Sequence, residues 1–190
     1  EMDKASHTPM STSAIFRLAS MTKPIASLAL LFLQEDGLIN MNDRLDQYLP
    51  AFANQQVIER IDTLRGSAVY QTRKASKPIL LRHLLTHTAG FGYPLFSDGL
   101  DKFTKNMPAN YASADLPRLF EAGSSWQYGT STDWVGKIVE KVSGKDLETY
   151  FRDNILQPLG MTRTFFNVPN DLVGEISTFG QLAGDHFVAD

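Results

Sequence analysis

One stretch of the sequence decides how the rest is read: Phe16-Arg17-Leu18-Ala19-Ser20-Met21-Thr22-Lys23-Pro24. After it, residues up to Asp36 are apolar on nearly every side of a helix, and Gly37 follows as a typical stop. Proline is tolerated in the first turn because a backbone N–H is not needed there. The pattern predicts a helix over residues 21–36 that is buried at the centre of a domain. Its longest apolar run, Ile25–Leu33, rises roughly 14 Å and is too short to cross a bilayer.

Ser20 and Lys23 form a Ser-x-x-Lys tetrad at the start of this helix. Three residues make about one helical turn, so the two side chains share a face. The N-terminus of a helix also directs backbone N–H groups at an oxyanion. A lysine in a dry pocket loses its proton more readily and can then take the serine proton. The tetrad is therefore a candidate nucleophile and base. The alternative is that Ser20 only caps the helix and Lys23 is solvated. Taken without its context, the tetrad favours this alternative.

Tyr128 is a second candidate, because it lies in a glycine-flanked turn and a tyrosine hydroxyl can relay protons. The alternative for Tyr128 is a packing role. His83 and His87 stand four residues apart on a predicted helix, a spacing that could bind a metal ion. However, the His-Glu-x-x-His pattern and an obvious third ligand are absent from the sequence. We therefore expect no metal site, and we expect His87 to hydrogen-bond the backbone of the turn at Thr88–Gly90.

Composition excludes several classes of function. The chain has 190 residues, 18 Lys+Arg against 21 Asp+Glu, a net charge of −3 and no cysteine. The charges are spread along the chain, which argues against nucleic-acid and membrane-surface partners. The lack of cysteine removes disulfides, thiolate zinc sites and cysteine nucleophiles. No glycine-rich phosphate motif occurs, so no nucleotide cofactor is expected. Residues 1–6 lack the apolar core of a signal peptide.

The remaining segments predict mostly short elements. Helices are expected near Leu45–Leu49 and over residues 79–87, 113–123, 130–143 and 147–157. Residues 51–77 are polar and predict a surface excursion. Residues 91–112 predict a long aromatic loop of the kind that often carries function. The tail has β-like residues at 164–166.

Four segments together resemble one family. They are residues 16–24 quoted above, Leu84-Leu85-Thr86-His87-Thr88-Ala89-Gly90, Trp126-Gln127-Tyr128-Gly129-Thr130-Ser131-Thr132-Asp133, and Pro158-Leu159-Gly160-Met161-Thr162. In this order they resemble the nucleophile segment, the His-Thr-x-Gly loop, the catalytic-tyrosine segment and a later signature of the serine β-lactamase and penicillin-binding-protein superfamily. The most similar branch is the class C β-lactamase-like esterases, also called family VIII carboxylesterases.

The resemblance implies an α+β fold of the β-lactamase/transpeptidase type and acyl transfer through an acyl-enzyme. Ser20 would attack the carbonyl of a small ester substrate, Lys23 and Tyr128 would share the work of general base, and the Ser20 backbone N–H would serve as one oxyanion donor. The expected substrate-binding residues are Thr130, Trp126 and Phe91. No cofactor or metal is implied.

Two departures from the family shape these expectations. Tyr128 is followed by Gly129 and Thr130, whereas relatives that bind β-lactams or peptides often have Tyr-x-Asn, so short-chain ester hydrolysis is favoured. The third motif, Lys-Thr-Gly or His/Trp-x-Gly, is missing together with most sheet strands. Residues 1–190 are therefore expected to be a single partial domain, mainly its helical part, with weak or no activity when isolated.

Alternatives remain open. They are a β-lactamase or D-amino-acid peptidase of the same fold, and a non-catalytic scaffold that keeps the fold. The sequence leaves localisation open, with a slight preference for the cytoplasm.

Overall fold

Helix α1, Thr22–Glu35, follows directly on a 3₁₀ turn at Ala19–Met21 in the computed structural model. The structure describes residues 1–3, 6–62, 69–97, 100–101, 104–105, 113–183 and 186–189. Helix α1 confirms the prediction of a helix over residues 21–36. Its burial is one-sided: Ala26, Ala29, Leu30 and Leu33 are buried at helical spacing, whereas Leu28 and Leu31 are 36% and 43% exposed. The prediction of burial on every side is wrong for this chain, because the second face has no cover among the described residues.

Further helices and strands follow α1 within the described residues. The helices are α2 (Leu45–Tyr48), α3 (Leu81–Leu85), α4 (Ser131–Ser143) and α5 (Leu147–Phe151), and α5 continues as a wider π-helical turn at Arg152–Leu156. The strands are β1 (Gln56–Asp62), β2 (Val69–Lys74), β3 (Gly180–Ala183) and β4 (His186–Ala189). Further 3₁₀ turns occur at Pro50–Phe52, Pro94–Phe96, Ser113–Asp115 and Asn170–Glu175.

Two antiparallel hairpins account for these strands. β1 pairs with β2, with an irregularity between Ile58 and Arg60, and β3 pairs with β4. The predicted surface excursion over residues 51–77 therefore contains a hairpin. The β-like residues 164–166 form no strand, and the predicted helix over 113–123 is reduced to one 3₁₀ turn followed by bends and a turn. Phe103 and Tyr111 of the predicted aromatic loop lie outside the described residues.

The chain divides into two compact units. The terminal unit comprises Glu1–Ile25 and Glu148–Asp190, and the central unit comprises Ala26–Leu147. In the terminal unit, Ile15 pairs in parallel with Ile176 through backbone hydrogen bonds of 2.8 Å to either side, and Phe151 packs on Phe166 at 5.3 Å between ring centroids.

The central unit has a leucine-rich core. α3 and α4 contribute much of it, because their apolar residues recur on one face of each helix. The apolar members exposed by 1% or less are Ala29, Leu30, Leu33, Leu45, Leu81, Leu84, Ala89, Leu100, Val135, Ile138 and Val139.

Glu121 joins the β1–β2 hairpin to the segment that leads towards α4. Its carboxylate, 12% exposed, accepts hydrogen bonds from Arg73 Nη1 at 2.5 Å, from Ser76 N and Ser76 Oγ at 2.9 Å each, and from Lys77 N at 3.2 Å. Burial alone raises the pKa of Glu121, but the hydrogen bonds from Ser76, Arg73 and Lys77 outweigh it and lower the pKa from 4.5 to about 2. The low pKa means that the Glu121 carboxylate is ionised in the folded chain at neutral pH.

We expect Glu121→Gln to destabilise the chain by about 2 kcal/mol at pH 7, since it removes a charge that accepts several hydrogen bonds. The folded-state pKa is depressed, so the stabilisation by Glu121 is present in full above the unfolded value of 4.5 and is lost as the pH falls through about 2. Urea unfolding of both proteins between pH 7 and pH 3 measures the difference, which should shrink on acidification. Glu35→Gln, at an exposed glutamate of α1, is the matched control. A difference that does not change with pH would contradict the role assigned to the carboxylate.

Candidate active site

Ser20 and Lys23 meet at the start of α1. The Lys23 Nζ atom donates a hydrogen bond to Ser20 Oγ at 3.2 Å. Ser20 is exposed and Lys23 is half-buried. The geometry follows from local structure, since residues three apart on a helical turn share a face. A serine hydroxyl beside a lysine amine is an arrangement that can form a nucleophile, because the amine in its neutral form can accept the hydroxyl proton.

The backbone just before Ser20 adopts an unusual conformation. Ala19 has a φ of +46°, in the left-handed region that residues other than glycine rarely occupy. Such a residue costs roughly 1–2 kcal/mol and persists only where the surroundings impose it. The strained residue directly precedes the candidate nucleophile. Strained backbone of this kind is often found in active sites.

Tyr128 lies in the central unit, whereas Ser20 and Lys23 lie in the terminal unit. Its half-buried ring contacts a cluster of rings: His87 at 4.9 Å, Tyr93 at 5.9 Å and Phe96 at 6.1 Å between centroids. Tyr93 and Phe96 also contact each other at 6.2 Å. Sequence reasoning did not single out Tyr93 and Phe96. The available signal was their place in the aromatic loop after the His-Thr-x-Gly motif, which pointed to the segment but not to these rings.

Backbone hydrogen bonds join the His-Thr-x-Gly loop to the tyrosine segment and to the residues just before it. Gln127 N donates to His87 O at 3.0 Å, Gly123 N to Thr88 O at 2.8 Å, and Leu119 N to Gly90 O at 2.8 Å. Two motifs that stand about 40 residues apart in the sequence thus form one continuous local structure.

Gly129 lets the two segments approach closely. A Cβ built there would lie 2.4 Å from the Phe91 carbonyl oxygen and 2.6 Å from the Gly92 Cα. Both neighbours are backbone atoms, which cannot move aside as the end of a side chain can. The residue after Tyr128 must therefore be glycine in this packing.

The three residues expected to bind substrate have different surroundings. Trp126 is 62% exposed and its ring contacts His87 at 6.1 Å, and Thr130 is half-buried directly before α4. Phe91 is only 3% exposed, and its ring packs on Phe52 and Trp134 at 5.5 and 6.5 Å. The Phe91 side chain is thus placed in the core, and a substrate contact by Phe91 stays a prediction.

The remaining sequence-based expectations concern His83, metal ions and membrane spans. His83 Nδ1 accepts a hydrogen bond from Leu80 N at 3.1 Å, so this ring caps the start of α3. Across the described ranges, no group of three or more His, Asp and Glu side chains could hold a metal ion. In the same ranges no helix has the length and apolar character that a membrane span needs.

Comparison with known proteins identifies the class. Residues 2–175 match the Beta-lactamase family, and the chain belongs to that family. The unliganded simvastatin synthase LovD of Aspergillus terreus superposes with a TM-score of 0.86 at 29% identity, over 98% of this chain and 50% of that one. The fold is therefore of the β-lactamase/transpeptidase type, as the sequence predicted, and the resemblance to β-lactamase-like serine hydrolases is confirmed.

Curated relatives include both transferases and esterases. The ML-236A carboxylate methylbutanoyltransferase of Penicillium citrinum is 34% identical over 167 residues, covering 84% of this chain and 39% of that protein. Esterase EstB of Burkholderia gladioli is 32% identical over 173 residues, covering 84% of this chain and 40% of that protein. The chain thus spans about two fifths of the length of these relatives.

Proposed function

We propose that this chain carries the nucleophile of a serine hydrolase that cleaves short-chain carboxylic esters through an acyl-enzyme on Ser20. The observation that carries the proposal is the 3.2 Å contact between Lys23 Nζ and Ser20 Oγ at the start of α1. Esterases and acyltransferases among the relatives support a small-molecule ester as substrate. The narrower assignment to family VIII carboxylesterases is part of the same proposal.

The reaction has two halves. Ser20 Oγ attacks the ester carbonyl while its proton passes to neutral Lys23 or to the Tyr128 phenolate, and the tetrahedral oxyanion forms near the N-terminus of α1. The proton then moves to the leaving alkoxide, and the C–O bond breaks to release an alcohol. In the second half, water attacks the acyl-Ser20 carbonyl and passes a proton back through the same groups. The acid leaves and the Ser20 hydroxyl is restored.

One feature of the sequence and one of the structure favour esters over β-lactams and peptides. Thr130 stands where an asparagine amide often serves relatives that bind amide substrates, so a hydrogen bond to a substrate amide is lost. The exposed rings of Trp126 and Phe96, 62% and 59% accessible, supply apolar surface around Tyr128 that suits an acyl chain or an apolar alcohol. Thr130 and Trp126 are therefore proposed to contact the substrate.

A second candidate is acyl transfer to an alcohol in place of water. The support is the printed function of the Penicillium citrinum relative, a methylbutanoyltransferase. The chemistry on Ser20 is identical up to the acyl-enzyme, and the acceptor alone differs. Adding a competing alcohol during turnover separates the two, because a transferase yields a new ester in proportion to the alcohol.

The test is covalent labelling with a fluorophosphonate, read as a mass increase, on the protein at its natural length. We expect one adduct on Ser20, no adduct in Ser20→Ala, and an unchanged adduct in Ser11→Ala, which removes an exposed serine whose hydroxyl pairs with Ser13 Oγ and Ser13 N. Turnover of p-nitrophenyl butyrate and nitrocefin by the same preparations then reports the substrate class. Faster nitrocefin turnover would replace the ester assignment with a β-lactamase, and no adduct at all would favour the non-catalytic scaffold.

A further inference from the structure

His87 contacts the segment that carries Tyr128 through both its backbone and its ring. Its carbonyl oxygen accepts the hydrogen bond from Gln127 N at 3.0 Å, one residue before Tyr128. Its ring lies 4.9 Å from the Tyr128 ring at an interplanar angle of 44°, and 6.1 Å from the Trp126 ring in an edge-on arrangement at 71°. Three successive residues, 126–128, are therefore held by one side chain and its own carbonyl group.

The backbone of His87 is shaped for this double contact. Its φ is +54°, in the left-handed region, just after α3 ends at Leu85. Histidine and asparagine are among the few residues other than glycine that adopt this conformation at moderate cost. The turn sends the carbonyl towards Gln127 while the imidazole packs on the phenol. The preceding helix fixes it from the other side, because His87 N donates to Leu84 O at 3.3 Å.

The ring contact restricts Tyr128 on one of its sides. Tyr93 and Phe96 contact the same phenol at 5.9 and 6.1 Å, so the His87 contact is the shortest of these three. Tilted and edge-on ring pairs are attractive and depend on orientation. Together with the Gln127 hydrogen bond, they leave the phenol few ways to swing without losing a contact.

We propose that His87 is a positioning residue for Tyr128: its imidazole packs against the phenol and holds the hydroxyl where proton transfer needs it. This rests on the proposed function, in which Tyr128 shares the work of general base. Small misplacements of a group that transfers a proton reduce turnover strongly while leaving substrate binding intact. His87 acts through Tyr128 in this role.

The test compares two replacements on the protein at its natural length. His87→Asn keeps a side chain that tolerates the left-handed backbone and removes the ring. His87→Phe keeps a ring of similar width, removes both nitrogens and strains the left-handed backbone. For ester hydrolysis we expect His87→Asn to lower kcat by about 10- to 100-fold with KM unchanged within about twofold. A folded His87→Phe protein should keep kcat within about threefold of that of the starting protein. His87→Gln replaces His87→Asn if the latter does not fold.

A second readout keeps this proposal separate from the proposed function. The ring resonances of Tyr128, assigned by their loss in Tyr128→Phe, should shift in His87→Asn and stay close to their original positions in His87→Phe. If fluorophosphonate fails to label Ser20, the proposed function fails, but the Tyr128 resonances still test the positioning contact. Unchanged kcat and unchanged Tyr128 resonances in a folded His87→Asn protein would overturn the proposal. So would a folded His87→Phe protein that keeps the original Tyr128 resonances and is as slow as His87→Asn.

Discussion

Replacement of Lys23 by methionine is expected to slow acylation of Ser20 by about 10²- to 10⁴-fold, the usual contribution of a general base. Methionine keeps an unbranched side chain of similar length on the half-buried first turn of α1 but has no proton acceptor of comparable strength. Stopped-flow measurement of the first turnover of p-nitrophenyl butyrate reports the acylation step directly.

Lys23→Arg separates the base from the charge. Arginine keeps the positive charge beside Ser20 Oγ but does not lose its proton at accessible pH, so it should be nearly as slow as Lys23→Met. Lys141→Met, at an exposed lysine in the last turn of α4, is the matched control and should acylate normally. An arginine variant with the original rate would show that Lys23 acts by charge alone, and the general-base role would then be wrong.

Gly129→Ala is expected to destabilise the chain by about 3 kcal/mol, at the upper end of the usual cost of overpacking. The new methyl group would lie 2.4 Å from the Phe91 carbonyl oxygen and 2.6 Å from the Gly92 Cα, so the tyrosine segment or the loop after α3 must shift. The denaturant midpoint in urea should fall accordingly.

Gly174→Ala is the control, since a Cβ at that position meets nothing within 4 Å. It should change the stability by no more than about 0.5 kcal/mol. If Gly129→Ala proved as stable as Gly174→Ala, the close approach of the two motifs would not exist in solution. Where Gly129→Ala remains folded, the displaced Tyr128 should also slow ester turnover.

Helices with a clear apolar period could be predicted from the sequence, and the hairpin could not. α1 and α4 are each longer than three turns and carry apolar residues at three- and four-residue intervals, so their type is decided locally. β1 and β2 are mostly polar, and Val57, at 2% exposed, is the one buried apolar residue in the part of these strands whose side chains are described. Their pairing depends on backbone hydrogen bonds to each other and, at Val57, to the Arg118 segment. Such contacts leave little periodic trace in a sequence.

The candidate site divides in the same way. The contact between Ser20 and Lys23 follows from a spacing of three residues on one turn and could be predicted without knowledge of the remaining fold. The ring contacts of Tyr128 with His87 and Phe96 join residues more than 30 positions apart. The burial of Phe91 likewise depends on Phe52 and Trp134, which lie far from it in sequence. Only the folded chain shows which aromatic residues face the tyrosine and which fill the core.

The left-handed backbone conformation of Ala19, directly before Ser20, has a consequence for protein engineering. Glycine adopts the φ of +46° at residue 19 without a steric penalty, so a library screened only for heat resistance should collect Ala19→Gly. A library screened for turnover should retain alanine, because its Cβ limits the backbone conformations open to the residue that delivers Ser20. The two screens would diverge at this one position, and the sign of that divergence would show whether the strain serves catalysis.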